Sequence, residues 1–145
     1  MARCASGYES CQKRTALFFV KAAAVLVIAA APYLIFCGVP LFGLPDASDV
    51  TSAEITYFHT AKTKTFSSPG DIKLARKAAG HLRWLPFASL TEEDPRYTLV
   101  FTTRSGERIS LTVGFCNIEY KGRTMRGLYR QGELFVKTID GIFRR

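Results

Sequence analysis

AAAVLVIAAAPYLIFCGVPLFGL, residues Ala22 to Leu44, runs for twenty-three positions without a charged side chain. As a helix rising ~1.5 Å per residue it would reach ~34 Å, against ~30 Å for the hydrocarbon core of a bilayer. Soluble helices of this length carry a polar stripe, and this stretch has none. The expectation is a transmembrane helix over 22–44, with Pro32 and Pro40 as places where it can bend.

The flanks set its direction. Arg3, Lys13, Arg14 and Lys21 precede the stretch against one acid, Glu9, whereas Asp46 and Asp49 follow it. The positive-inside rule then makes 1–21 a cytoplasmic basic N-terminus and leaves the remainder outside, an uncleaved single-pass anchor in the cell membrane. A cleaved signal peptide reads the same leader with Ala29, Ala30 and Ala31 ahead of the cut, but Pro32 directly after them opposes cleavage. A lipidated Cys37 is a third reading, and Phe36 is bulky where such a signal has a small residue. Cys4 and Cys11 lack CxxC spacing and a nearby histidine, which excludes a zinc pattern. Cys116 stands alone beyond the stretch, so no intramolecular disulfide is available there.

Residues 45–52 read as a linker rich in turn formers, and 53–145 as a single extracytoplasmic α+β domain. Ala53–Thr60 alternates in the manner of a strand, and Ala61–Phe66 reads as an exposed edge or a loop. Ser68-Pro69-Gly70-Asp71 announces a helix, with Ser68 as cap, Pro69 in the first turn and Asp71 answering the cap. Ile72, Ala75, Ala79 and Leu82 share its apolar face, and Pro86 stops it. Arg96–Thr103 and Arg108–Gly114 alternate on either side of the turn RSGE and form a hairpin. FCNIEY to Tyr120, a turn at Lys121-Gly122 and TMRGLYR extend the meander. ELFVKTIDGIF suits a short C-terminal helix. The expected architecture is one main helix packed on a four- or five-stranded antiparallel sheet.

This order of elements, with SPGDIKLARKAAGHL, DPRYTLVFTTRSGERISLTV and NIEYKGRTMRGLYR as its landmarks, resembles the small outer domains of membrane-anchored proteins and lipoproteins of Gram-positive bacteria. The resemblance covers Val50 to Arg145 and implies a fold and an address, not an activity.

The formal charge of +8 raises the question of an anionic partner. Beyond residue 44 sixteen basic side chains stand against eleven acidic ones, and no nucleic-acid motif accompanies them. Arg104, Arg108, Lys121, Arg123, Arg126 and Arg130 fall around neighbouring turns and strands and form the candidate basic patch. Catalytic patterns are missing. His59 and His81 lack metal-ligand spacing, and His81 beside the apolar helix face reads as a packing residue. Cys116 has no basic neighbour to lower its pKa, and Glu92, Glu93 and Asp94 read as a solvated loop rather than as carboxylates set around a substrate. No glycine belongs to a phosphate-cradling run, and no cofactor or metal is implied. The expectation is a non-enzymatic binding or sensory module that engages an envelope protein or an anionic polymer through its basic surface. The alternative is a membrane-complex assembly subunit that pairs through Ala23, Ala24, Ala29, Ala30 and Ala31.

Overall fold

A computed structural model describes residues 18–28, 30, 32–33 and 36–145. The chain divides into two compact units, Met1–Phe36 and Cys37–Arg145. In the first, residues 18–28 are helical and all exposed. Arg3, Cys4, Cys11, Lys13 and Arg14 lie outside the described residues, as do Ala29 and Ala31 of the small-residue stripe.

The transmembrane helix over 22–44 is corrected. Among the described residues no helix is long and apolar enough to cross a membrane. Gly38 adopts a left-handed φ of +68, and a Cβ there would lie 3.0 Å from the Trp84 carbonyl oxygen, so the position suits glycine and breaks helical geometry. Val39–Pro40 follows as β1, paired antiparallel with β4, Arg83–Trp84. Leu41 is buried in the core. Within the last seven residues of the apolar run Leu41 is apolar because it belongs to a protein interior, with Leu44 packed partly against it, and apolar composition alone does not distinguish that from lipid.

The second unit is a small α+β domain. Its strands are β2 Val50–Tyr57, β3 Lys62–Phe66, β5 Tyr97–Thr103, β6 Arg108–Val113, β7 Asn117–Tyr120 and β8 Arg123–Arg126. They form one antiparallel sheet in the order β3-β2-β5-β6-β7-β8. Six strands replace the expected four or five, because the edge segment at Lys62 is a full strand. Helix α1, Pro69–Gly80, begins after Ser68, whose side chain makes no capping bond although its carbonyl accepts from Ile72 N–H. Helix α2, Tyr129–Phe143, has 15 residues against 12 in α1. It is the longer helix rather than a short tail, and it starts inside TMRGLYR, where a strand was expected to continue.

Alternation builds the core. Ala53, Ile55, Leu99, Phe101, Leu111, Val113 and Ile118 project to one face and are buried there with Ile72, Ala75 and Ala79 of α1 and Phe135, Ile139 and Ile142 of α2. Recurrence at three and four residues lets each helix present one apolar stripe to that face. At the sheet edge Lys64 keeps its aliphatic stem along the helix side and donates from Nζ to the Phe143 carbonyl at 3.2 Å. The expected linker 45–52 is tied into the domain: Arg76 Nε donates to the Pro45 carbonyl at 2.6 Å, and Arg104 N–H to the Asp49 carbonyl at 2.8 Å. Just past β8, Gly127 makes an isolated bridge to Trp84, which ties the separate two-stranded β1–β4 sheet to the end of β8.

Candidate functional site

Strand β6 is longer than the hairpin beside it. It pairs with β5 from Arg108 to Val113, but with β7 only at Leu111, Thr112 and Val113. The β7–β8 hairpin turns early, at Lys121 and Gly122, which take φ of +50 and +71; Lys-Gly supplies a tight turn because glycine accepts that geometry without strain. Hydrogen-bonded residues alternate along an antiparallel strand. Thr103 N–H donates to the Glu107 carbonyl and Gly114 N–H to the Asn117 carbonyl, which sets the phase: odd residues of β6 bond towards β5, even ones towards β7. The N–H and C=O of Arg108 consequently face a place where no strand lies opposite, and those of Ser110 face the turn residue Lys121. This notch encloses about 250 Å³ between Arg108, Ile109 and Ser110 on one side and Lys121 and Gly122 on the other. A wider groove of about 560 Å³ adjoins it, sharing Glu107, Ile109 and Lys121 and reaching Arg104, Gly43 and Asp49.

The candidate patch divides. Arg104, Arg108 and Lys121 line these two openings, and Arg123 starts β8 immediately after the turn. Arg126 ends β8 and Arg130 stands in the first turn of α2; neither lines the notch or its groove. Three residues of strand separate Arg123 from Arg126, a distance of ~10 Å. Acids interleave with the cations: Glu107 and Glu119 line the notch and Asp49 the groove. Arg108 pairs with Glu54 at 3.5 Å, both largely solvated, a contact worth ~0–1 kcal/mol. Tyr120 lies buried behind Lys121, whose Nζ is 5.4 Å from its ring centroid. Burial pushes its phenol pKa up, with Glu107 adding to the rise and Arg76 opposing it. Its hydroxyl has no hydrogen-bond partner among the described residues.

The sheet face away from the helices carries a feature that sequence reasoning missed. The registers place Thr63, Thr56, Thr98, Thr112, Glu119 and Thr124 in one row across all six strands. Thr56 and Thr63 share a hydrogen bond of 3.0 Å, and so do Thr98 and Thr112. Threonine at alternate positions is visible in each strand, but the row exists only through the register, which one sequence does not specify.

The residues weighed for catalysis are dispersed. His59 sits exposed in a 3-10 turn, Phe58–Thr60, with Nε2 2.8 Å from an Arg96 guanidinium nitrogen. His81 is exposed at the end of α1, not packed as expected. Cys116 lies in the turn between β6 and β7 rather than inside a strand. Among the described residues no three His, Cys, Asp or Glu side chains are grouped to hold a metal ion. The acidic loop is only partly solvated: Glu93 accepts from the N–H groups of Cys116 at 2.6 Å and Asn117 at 2.5 Å. Thr91 exchanges two hydrogen bonds with the Asn117 side chain. These contacts clamp the loop after β4 onto the β6–β7 turn.

Comparison with protein-family models, with curated proteins and with solved structures finds no match.

Proposed function

We propose that the domain is a binding module that accepts an extended, carboxylate-bearing polypeptide segment as an added strand beside the unpaired half of β6. The observation that carries this reading is the overhang of β6, which leaves the main-chain donor and acceptor of Arg108 facing an opening beside Ser110 and the turn at Lys121. Strand addition satisfies such groups without altering the fold. Main-chain hydrogen bonds at ~1 kcal/mol each net make a weak contact alone. Arg104, Arg108 and Lys121 around the same opening would add a preference for acidic side chains and a dependence on salt. The interleaved Asp49, Glu107 and Glu119 limit the gain from charge, so the backbone of the partner is recognised first. The reading is of binding without chemistry.

The test uses a fluorescein-labelled octapeptide of alternating glutamate and valine in an anisotropy titration. The Ser110→Pro variant removes the one N–H at the centre of the notch, a group that takes no part in pairing to β5, and proline is tolerated at such edges. Binding by the native chain with at least tenfold weaker binding by S110P and by the backbone N-methylated peptide supports strand addition. Equal binding of the methylated peptide, or equal competition by polyphosphate, would replace it with purely electrostatic attachment of an anionic polymer.

A further inference from the structure

We infer that Arg96 and His59 form a binding site for the phosphate group of a small soluble monoester. Arg96 stands immediately before β5, whereas Arg104, which lines the groove beside the notch, stands immediately after it. Eight steps of extended chain separate the two by ~26 Å. The inference therefore does not depend on strand addition at β6.

Main chain and aromatic rings hold both side chains in place. Arg96 N–H donates to the Val113 carbonyl at 3.0 Å, and the Arg96 carbonyl accepts from Phe58 N–H at 3.0 Å. The residue is thus fixed between the end of β6 and the turn that carries His59. Its guanidinium carbon lies 4.9 Å from the ring centroid of Phe115, and Phe115 is braced by Tyr129 at 5.8 Å. The His59 ring meets Tyr57 edge-on, with centroids 5.4 Å apart. Stacking occupies a face of the guanidinium and leaves its N–H groups, which project from the edge, available to a ligand. Much of the entropy lost in ordering a long side chain is already lost before a ligand arrives.

The contact between the two side chains points to an anion. Arg96 Nη1 lies 2.8 Å from His59 Nε2. Arginine only donates, so the imidazole accepts and is neutral in this contact, with its proton on Nδ1. A second proton, on Nε2, ends that bond and sets two cations side by side. Yet among the described residues neither Arg96 nor His59 forms an ion pair. Glu93 is taken by the Cys116 and Asn117 N–H groups, and Asp140 by Tyr97 and Arg144. Asp94, exposed two residues before Arg96, pairs with neither. A phosphate monoester, whose charge approaches −2 at neutral pH, neutralises the guanidinium and a protonated imidazole together and accepts from both. A carboxylate brings only one charge.

The chain has two histidines, His59 and His81, and His81, exposed at the end of α1, is an internal control. In the full chain carrying ring-labelled histidine, the two Cε1–H resonances are followed by nuclear magnetic resonance while methyl phosphate or acetate is added at constant ionic strength. The pH is held at about 6.5, where imidazole and phosphate monoesters both titrate. His81→Gln assigns the two signals. The expected result is a saturable displacement of the His59 resonance by methyl phosphate while that of His81 stays still. Saturation should be about tenfold weaker or more with acetate and in Arg96→Gln. Lack of saturation with methyl phosphate, even beside a response to phosphatidic acid vesicles, overturns the inference. So does equal displacement of both histidines, an equal response to acetate, or an unchanged titration in Arg96→Gln. The comparison of the two histidines is made in the native chain and decides the matter whatever the stability of the variant.

Discussion

The carboxylate of Glu93 occupies the space that a side chain on Gly114 would need. Its Oε1 takes the N–H groups of Cys116 and Asn117, and the missing Cβ of residue 114 is what lets it approach. Gly114→Ala and Glu93→Ala should therefore lose the same interaction. Each is expected to cost ~2–3 kcal/mol, the scale for charge-assisted bonds with a buried N–H left unpaired. The double variant should cost little more than either alone. Urea denaturation of the four proteins gives the cycle, and additive losses would show that the two residues act independently.

Gly132 makes a closer approach. It lies in α2, where a Cβ would collide with the Phe115 carbonyl and stand 3.0 Å from the Gly114 carbonyl oxygen. The obstacle is main chain and cannot swing aside. Gly132→Ala, which raises intrinsic helix propensity by ~1 kcal/mol, is expected to destabilise the domain by ~2–4 kcal/mol because the helix must move off the sheet. A thermal midpoint unchanged or raised by this substitution would mean that α2 does not sit where it is described.

Much of this architecture can be read from residues alone. RYTLVFTT and RISLTVG alternate with period two around a Ser-Gly turn, and they form β5 and β6 with the anticipated faces. Ile72, Ala75 and Ala79 recur at helical spacing and are buried as a set. The failures have physical causes. ELFVKTIDGIF is helical as expected, with Phe135, Ile139 and Ile142 as its buried stripe, but the helix begins earlier, at Tyr129, where TMRGLYR reads locally as a strand and tertiary packing overrides propensity. Gly38 to Leu44 reads as hydrocarbon-seeking sequence because hydropathy records dislike of water and not the medium that replaces it. Of the candidate site, the basic residues were legible as types. Their division between the two ends of β8, and the unpaired edge of β6 beside three of them, depend on where β7 stops, which is a matter of register.

The position of Leu41 makes that correction testable. If residues 37–44 are part of the domain, a fragment comprising residues 37–145 should fold cooperatively, whereas a fragment beginning at Ala53, the boundary suggested by composition, loses Leu41 and Val50 from the core and β1 from β4. Within the longer fragment, Leu41→Ala is expected to cost ~2–4 kcal/mol. Far-UV circular dichroism and urea titration measure both effects, and equal stability of the two fragments would remove Leu41 from the core.

Alkaline pH probes the join between sheet and helix. Tyr97 on β5 donates from its hydroxyl to Asp140 Oδ1 of α2 at 2.8 Å, within a cluster whose ring centroids lie 5.0 Å from Tyr57 and 6.2 Å from Phe143. Burial, and then the bond to Asp140, push the folded-state pKa of this phenol well above its ordinary value, and Tyr120 is raised in the same direction. A group with a raised folded pKa contributes stability that is complete below its unfolded value of ~10 and is lost as pH climbs past it. The unfolding free energy should thus be insensitive to Tyr97 between neutrality and about pH 9 and should fall beyond about pH 10. Tyr97→Phe is expected to cost ~1–2 kcal/mol at pH 7, for the lost bond to a partly solvated carboxylate, and to flatten the alkaline slope. Denaturation of both proteins at a series of pH values decides the point: parallel curves up to the highest pH would show that Tyr97 does not govern the loss.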